Sequence, residues 1–395
     1  MMVDALILPD SAGGGRKDSR PDLWYNTHIM RKNAIVAFAL ALIAGCGPDD
    51  GAADFAKGEV AFAARDFRVA AMCYGIAAEK NATNLTARVK LALVNVELGE
   101  LPAAKAAAES ALALDPSCAE ARMLDGQIAY LAKDYARAVK DFDDIVGAGH
   151  LPAELRSQAL AARAVIEIAD GKFDQARLSL WRAVRLDRRN PAAWYHLGHL
   201  SRDTYRFEDA ALEQFEMAGR LMKDPVRSRA IARETIPALR ESFRSKIATK
   251  PGAANRDPNA SAKLVSEGEA LTKKDPKKAA TKFAEAYAKD PLSYAAAWNY
   301  AKAAIAAAKS DNDTMKALTA FQDAIDQRPN SQETYRAAAN AALNHGKPMR
   351  AEKFLSQALA HDPENKVTLG LYVQTLNRLG KKNEARLFEA YLKEL

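Results

Sequence analysis

The chain has 395 residues, of which 49% are apolar and 27% charged. At about 150 residues per domain this is two or three domains with ample core, and the composition excludes general disorder and a polytopic membrane protein. The 57 lysines and arginines exceed the 50 acids by 7, too small an excess over this length to imply nucleic acid as a partner. Three cysteines, Cys46, Cys73 and Cys118, are too few for a disulfide framework, and none stands in a Cys-x-x-Cys pair.

Residues 1–29 show no sustained periodicity and contain the run Gly13-Gly14-Gly15. At Met30 the texture changes to Arg31-Lys32, an apolar stretch from Ala34 to Ala44, then Gly45-Cys46-Gly47. A positive start, an apolar core of about 7–15 residues and small residues at the cut site predict a signal peptide over 30–45, too short for a spanning helix of about 20 residues. Met30 is then the expected start, and 1–29 an over-extended reading of the gene. The segment Leu42-Ile43-Ala44-Gly45-Cys46 resembles the lipobox of bacterial lipoproteins. That resemblance implies transfer of a diacylglyceryl group to the Cys46 sulfur, cleavage before Cys46, and often acylation of the new amino terminus. The lipid anchor would hold the chain in the membrane, since two or three acyl chains bind stably where one binds marginally. Residues 46–53 are polar and short enough for a tether. Gly47 stands where some sorting systems read an aspartate as an inner-membrane signal, which favours the outer membrane, facing the periplasm.

After Cys46 the chain repeats with a period near 34 residues. Residues 85–118 place Leu91 at position 7, Ala92 at 8, Gly99 at 15, Ala104 at 20, Ala108 at 24, Ala111 at 27 and Asp115-Pro116 at 31 and 32. The same frame recurs over 51–84 (Gly58, Phe67, Ala70, Tyr74, Ala77), 119–152 (Gly126, Tyr135, Ala138, Phe142) and 157–190 (Ala164, Phe173, Ala176, Leu180, Ala183). Residues 191–225 carry Trp194, Leu197, Gly198, Phe207, Ala211 and Asp224-Pro225, with one extra residue in the middle. A second array follows over 260–293, 295–331, 332–365 and 366–395, with a short loop at Lys273–Pro276 and a longer one at Lys309–Asp313. Small residues at 8 and 20 let two antiparallel helices approach closely, while bulky ones at 7, 17 and 24 fill the gap. Asp-Pro is expected to end one unit and start the next, since aspartate suits a helix N-terminus and proline tolerates only its first turn. These residues resemble the tetratricopeptide repeat, which implies an all-α solenoid of helix-turn-helix units. The expected organisation is an N-terminal array over 54–225, a basic helix and linker over 226–259, and a C-terminal array over 260–395.

There is no Gly-x-Ser-x-Gly elbow, phosphate-binding loop or His-Glu-x-x-His pair, so neither an enzyme nor a cofactor is expected. His196 and His199 lie three apart but lack an acidic or thiol partner at ligand spacing, and read as ordinary side chains. Cys73 and Cys118 fall in different units and read as two separate thiols. Arg227, Arg229, Arg233, Arg240, Arg244, Lys246 and Lys250 face only Glu234 and Glu241 along the connector. The segment reads as a solvated basic face or as a contact for lipid headgroups, anionic wall polymer or an acidic partner.

In the family the first helix of each unit supplies the binding face. Carried over to this chain, those positions give Phe55, Phe62, Val89, Leu93, Val96, Met123, Gln127, Tyr130, Val165, Ile168, Tyr195, His199 and Arg202, an apolar groove with a polar end suited to an amphipathic helix or extended peptide. In the second array Arg336, Asn340, Gln374, Asn377 and Arg378 make a polar face. Arg336 and Asn340 resemble part of the carboxylate clamp of some family members, although Leu371 stands where that clamp has asparagine. The expected function is an envelope-anchored interaction scaffold whose partners are envelope proteins or peptides. The alternatives are a binder of wall polymer or carbohydrate, and a cytosolic adaptor translated from Met1.

Overall fold

A computed structural model describes residues 50–395; the expected signal peptide, lipobox and lipidation site, Cys46 included, lie outside the described residues. Among the described residues every regular element is helical. The chain divides into two compact units, 50–197 with Met217–Ala230, and Gly198–Glu216 with Ile231–Leu395. In the first unit the helices α1 (Ala52–Ala63) and α2 (Phe67–Lys80), α3 (Leu85–Leu98) and α4 (Leu101–Leu114), α5 (Ala119–Leu131) and α6 (Tyr135–Gly147), and α7 (Ala153–Ala169) and α8 (Phe173–Leu186) form successive antiparallel hairpins. Helices α9 (Pro191–His199), α10 (Glu208–Leu221) and α11 (Pro225–Ala230) follow, and the unit boundary cuts α9 and α10. The second unit continues through α12 (Ile236–Ala248) to the hairpins α13 (Pro258–Leu271) with α14 (Pro276–Lys289), α15 (Tyr294–Ala307) with α16 (Asp311–Gln327), α17 (Gln332–Asn344) with α18 (Pro348–His361), and α19 (Lys366–Arg378) with α20 (Lys382–Glu394). First helices also meet: α3 touches α5, α5 touches α7, α13 touches α15, and α17 touches α19. This is an all-α solenoid, as the repeat period predicts.

The turn inside most hairpins is one device repeated. Residues 65, 99, 133, 171, 206, 346 and 380 all take positive φ, between 58° and 75°. At six of these turns the next residue's N–H reaches back five residues to a carbonyl, as in Asp66 to Ala61 and Lys381 to Leu376. This left-handed C-terminal cap suits glycine, which has no Cβ to clash. Four positions are glycine, but Arg65, Lys133 and Arg206 adopt the same conformation with a side chain.

The Asp-Pro pairs divide into two kinds. At Asp257-Pro258 and Asp275-Pro276 the carboxylate caps the helix that starts at the proline, accepting from the Ala260 and Lys278 N–H groups at 2.9 and 3.1 Å. At Asp115, Asp290 and Asp362 the pair ends its unit as expected, each aspartate closing the second helix of a hairpin, but the helix-start half of the expectation is corrected: the next helix begins four residues later at Ala119, Tyr294 or Lys366. Asp115 and Asp290 bond the N–H two residues on, at Ser117 and Leu292, forming a turn rather than a helix start. The new helix then takes its own cap, Ser293 or Asn365.

Inside the hairpins, glycine on the first helix faces an aromatic ring on the second. A Cβ placed on Gly126 would lie 2.7 Å from the Phe142 ring, and one on Gly268 would lie 2.5 Å from Phe283. Where the first helix carries Ala92, Ala108 stands at the aromatic position and both are fully buried, so the two positions share one volume. A second recurring bond ties the hairpin ends: Ser157 donates to the Ala183 carbonyl, Ser261 to Ala286 and Gln332 to Ala358, at 2.8–2.9 Å. The extra residue of 191–225 is absorbed as a π-helical stretch, Leu200–Tyr205, at the end of α9; a second, Ile231–Thr235, joins α11 to α12. Cys73 and Cys118 are both buried free thiols.

Candidate functional site

The thirteen residues expected to line the first-array groove do not form one open surface. Phe62, Leu93, Val96, Met123, Gln127 and Val165 are buried, and this corrects the groove expectation. Phe62, Leu93 and Val96 belong to one core cluster, Met123 and Val165 to the next, with Phe55, Val89 and Tyr130 packed at their edges. The physical reason is the close approach of α3, α5 and α7, which alanine and glycine permit: positions on the inner face become contacts between first helices. Phe55, Val89, Tyr130, Ile168 and Tyr195 keep partial exposure. His199, in the second unit, is half-buried edge-on to Phe215, with Nδ1 3.2 Å from an Asp203 carboxylate oxygen and 3.1 Å from Arg202. His196 is buried.

On the second unit's first helices, the polar face comes together in part. Arg336, Asn340 and Gln374 line a concavity of about 440 Å³ with Lys366, Val367, Gly370 and Leu371. Val367 is 68% exposed, an apolar side chain held open between cations. Lys366 and Val367 begin α19 and were missed because the repeat frame weights the middle of the helix. Asn377 and Arg378 lie further along α19, exposed and outside the concavity. The site therefore offers two cations, two side-chain amides and a short apolar strip, which suits an acidic or C-terminal peptide end.

The basic connector is not the free charge its sequence suggests. Lys250 is half-buried, with Nζ 2.7 Å from Asp323 and 2.8 Å from Asp326 on α16, and Lys246 reaches Asp326 at 3.4 Å. Two acids at one ammonium outweigh burial and raise the Lys250 pKa. Tyr287 donates a short hydrogen bond to Asp323. Arg240 pairs with Glu216 at 2.7 Å and Arg244 approaches Glu241 at 4.0 Å. Arg229 and Arg233 are exposed, and Arg227 is half-buried. Acids contributed by other helices neutralise part of a segment that looks unopposed along the chain.

The second unit also contains a charged junction with no sequence signal. The His361 side chain is 3% exposed, with Nε2 3.0 Å from Asp209 and Nδ1 2.8 Å from Glu213. Burial pulls the imidazolium pKa down, but hydrogen bonds to both carboxylates outweigh it and push it up to about 9. Asp209 also accepts from Gln357 at 2.8 Å; burial raises its pKa, and these bonds bring it below the ordinary carboxylate value. Gln214 adds a bond to the Ala360 carbonyl at 3.0 Å. The arrangement fastens the start of α10 to the end of α18 and, being closed by its own partners, is structural. Among the described residues no cluster of three or more histidine, cysteine or acidic side chains is set to hold a metal, and no helix is long and apolar enough to cross a membrane.

The chain is similar in fold to MamA of Desulfovibrio magneticus RS-1, at 19% identity over 44% of this chain and 95% of that one, with a TM-score of 0.36. It is also similar to the Pseudomonas aeruginosa pilF protein (17% identity, 65% and 99% of the two chains, TM-score 0.40). A third likeness is to the TPR2AB domain of yeast Sti1, solved in complex with pHSP90 (18% identity, 66% and 99%, TM-score 0.28). No curated protein matches the chain. The tetratricopeptide repeat model matches residues 55–104, 89–150, 161–225 and 307–366, together more than half of the sequence. The hairpin of α13 and α14 falls outside those matches yet repeats the same glycine-on-aromatic contact, Gly268 on Phe283. The chain belongs to the tetratricopeptide-repeat family, whose members generally mediate protein–protein interaction.

Proposed function

We propose that this protein is a non-catalytic scaffold of the bacterial cell envelope, anchored by lipid at Cys46 and holding other envelope proteins through its helical repeats. The observation that carries the interaction role is the concavity of Arg336, Asn340, Lys366, Val367 and Gln374, which presents polar groups and an apolar strip outward while the hairpins bury their own cores. Its cations and amides suit peptide ends and acidic side chains. The envelope location rests on the sequence alone, the apolar run Ala34–Ala44 followed by Leu42-Ile43-Ala44-Gly45-Cys46. Secretion, outer-membrane assembly, pilus formation and cell-wall machinery are settings in which such a scaffold works. Wall polymer is the weaker reading, because Arg240, Lys246 and Lys250 are engaged by acids.

Crosslinking in intact envelopes, read by mass spectrometry, tests the scaffold. Envelope proteins crosslinked near Arg336 and Gln374, and lost with Arg336→Glu, are expected; recovery unchanged by that substitution removes the concavity from the reading. The anchor is tested by the mature amino terminus. Acylated Cys46 is expected, and an intact, unlipidated Met1 would falsify export.

A further inference from the structure

A second recess lies on the opposite kind of surface, among second helices rather than first. It encloses about 370 Å³ within the unit formed by Gly198–Glu216 and Ile231–Leu395, near the lower end of the range of ligand pockets. Four of its lining residues are apolar, beside the polar Thr319 and Gln322. Met315 and Leu318 come from one face of α16, Phe354 from α18 and Phe243 from α12; Leu318 and Phe354 are buried, while Met315 and Phe243 keep partial exposure into the recess.

The charges around these four residues are of two kinds. Most of the acids already face cations, with Asp209 held by His361 and Gln357, while Glu208 accepts only from the neutral Ser242 hydroxyl at 3.0 Å and keeps its charge. Asp323 and Asp326 share Lys250, and Lys246 adds to Asp326. By contrast, Arg206, Arg350 and Lys353 line the same recess with no ion-pair partner among the described residues. Arg350 and Lys353 are one turn apart on α18, on the face that carries Phe354. Arg206 arrives from the turn between α9 and α10, held at φ 58° where four other hairpins have glycine. A side chain is thus kept at a position whose backbone disfavours one.

We propose that this recess binds an acidic peptide segment of a partner protein, with one bulky apolar side chain on the floor of Phe243, Met315, Leu318 and Phe354 and flanking carboxylates on Arg206, Arg350 and Lys353. Asp209, Asp323 and Asp326 are paired with internal cations, and the three unpaired cations outnumber the one unneutralised acid, Glu208, so an acidic segment is favoured over a cationic one. Anchor and charges together define an amphipathic ligand, and guanidinium groups pair carboxylates in two-pronged fashion. The site is separate from the concavity on α17 and α19 and does not depend on its role.

The test uses the expected mature chain, residues 46–395 with Cys46→Ser, and a fluorescein-labelled peptide of one phenylalanine between two pairs of aspartates, followed by anisotropy. Saturable binding that weakens as salt rises is expected. Arg350→Glu and Arg206→Gly should each weaken it about tenfold or more, about 1.4 kcal/mol, while Arg336→Glu on the other concavity leaves it unchanged. Arg206→Gly relieves the turn and should not lower the melting temperature, so its loss of binding is not loss of fold. A peptide with alanine for phenylalanine should lose most of the affinity, and one with lysine for aspartate should not bind. Absence of saturable binding, binding equal for the aspartate and lysine peptides, or binding that follows Arg336 instead of Arg350 overturns the proposal. So does binding of anionic phospholipid vesicles through Arg350 in place of the peptide.

Discussion

Two acids of the first unit and a histidine of the second are buried in opposite ways. In the first, acids are taken out of water with little help: burial pushes Glu97 up to about 8, with Arg65 opposing only in part, and burial with the Asp125 charge lifts Asp141 to about 6 against Arg137 and Arg122. In the second, His361 is buried as deeply but sits between two carboxylates and is pushed up to about 9. The same hairpin geometry accommodates a buried acid that stays protonated and a buried cation that stays charged. What differs is whether the opposite charge is hydrogen-bonded to the buried group, as Asp209 and Glu213 are to His361.

The strongest way to break this comparison is to remove the histidine. His361→Leu leaves Asp209 buried without its cation and should cost about 3–5 kcal/mol, lowering hydrogen-exchange protection in α17 and α18 but not in α3–α6. Equal loss in both places would mean that the two units do not unfold separately. Pairing His361→Leu with Asp209→Leu and Glu213→Gln should recover part of the loss.

Next in size is the pH dependence. A carboxyl raised in the folded state keeps its proton while the unfolded chain releases it, so the contributions of Glu97 and Asp141 fall as pH rises from their ordinary values of 4.5 and 3.8 through about 8 and 6. His361, raised from 6.5, contributes fully below pH 6.5 and loses its contribution as pH rises through about 9. Between pH 5 and 6.5 the first unit should therefore lose protection while the His361 junction holds, and between pH 8 and 9 the order reverses. Exchange rates corrected for intrinsic pH dependence check this; parallel loss across the whole range contradicts it.

Smaller effects sharpen what the units share. Gly126→Ala in one and Gly268→Ala in the other each force a Cβ against an aromatic ring and should cost about 1–3 kcal/mol. Adding Phe142→Leu to Gly126→Ala should restore part of it, measured as a non-additive double-mutant cycle in urea unfolding. The smallest change is a gain: Lys133→Gly, at φ 64°, should stabilise the first unit by about 1 kcal/mol by relieving the left-handed backbone.

Much of the fold was legible because a repeat announces itself locally. Gly58 and Gly126 appeared with Tyr74 and Phe142 at the repeat's own spacing, and those pairs touch. The extra residue in 191–225 was visible as a count, though not as a π-helical stretch. The site was less legible. Family positions placed Phe62, Met123 and Val165 on an open groove, but small residues bring the first helices close enough to cover them. Asp115, Asp290 and Asp362 read as helix starts because Asp-Pro has that meaning at Asp257 and Asp275; three residues of intervening turn change it.

From its sequence alone this chain announces a stack of paired helices, the residues that let each pair close, and the turns that separate them, because those features depend on neighbours at most about thirty positions away. The ownership of its charges is settled elsewhere. Lys250 meets Asp323 across 73 positions and His361 meets Asp209 across 152, distances over which no periodicity carries information. Coulomb attraction is felt only once packing has brought the groups within a few ångströms and removed the water between them. The same step leaves Arg206, Arg350 and Lys353 unspent around Phe243, Met315, Leu318 and Phe354.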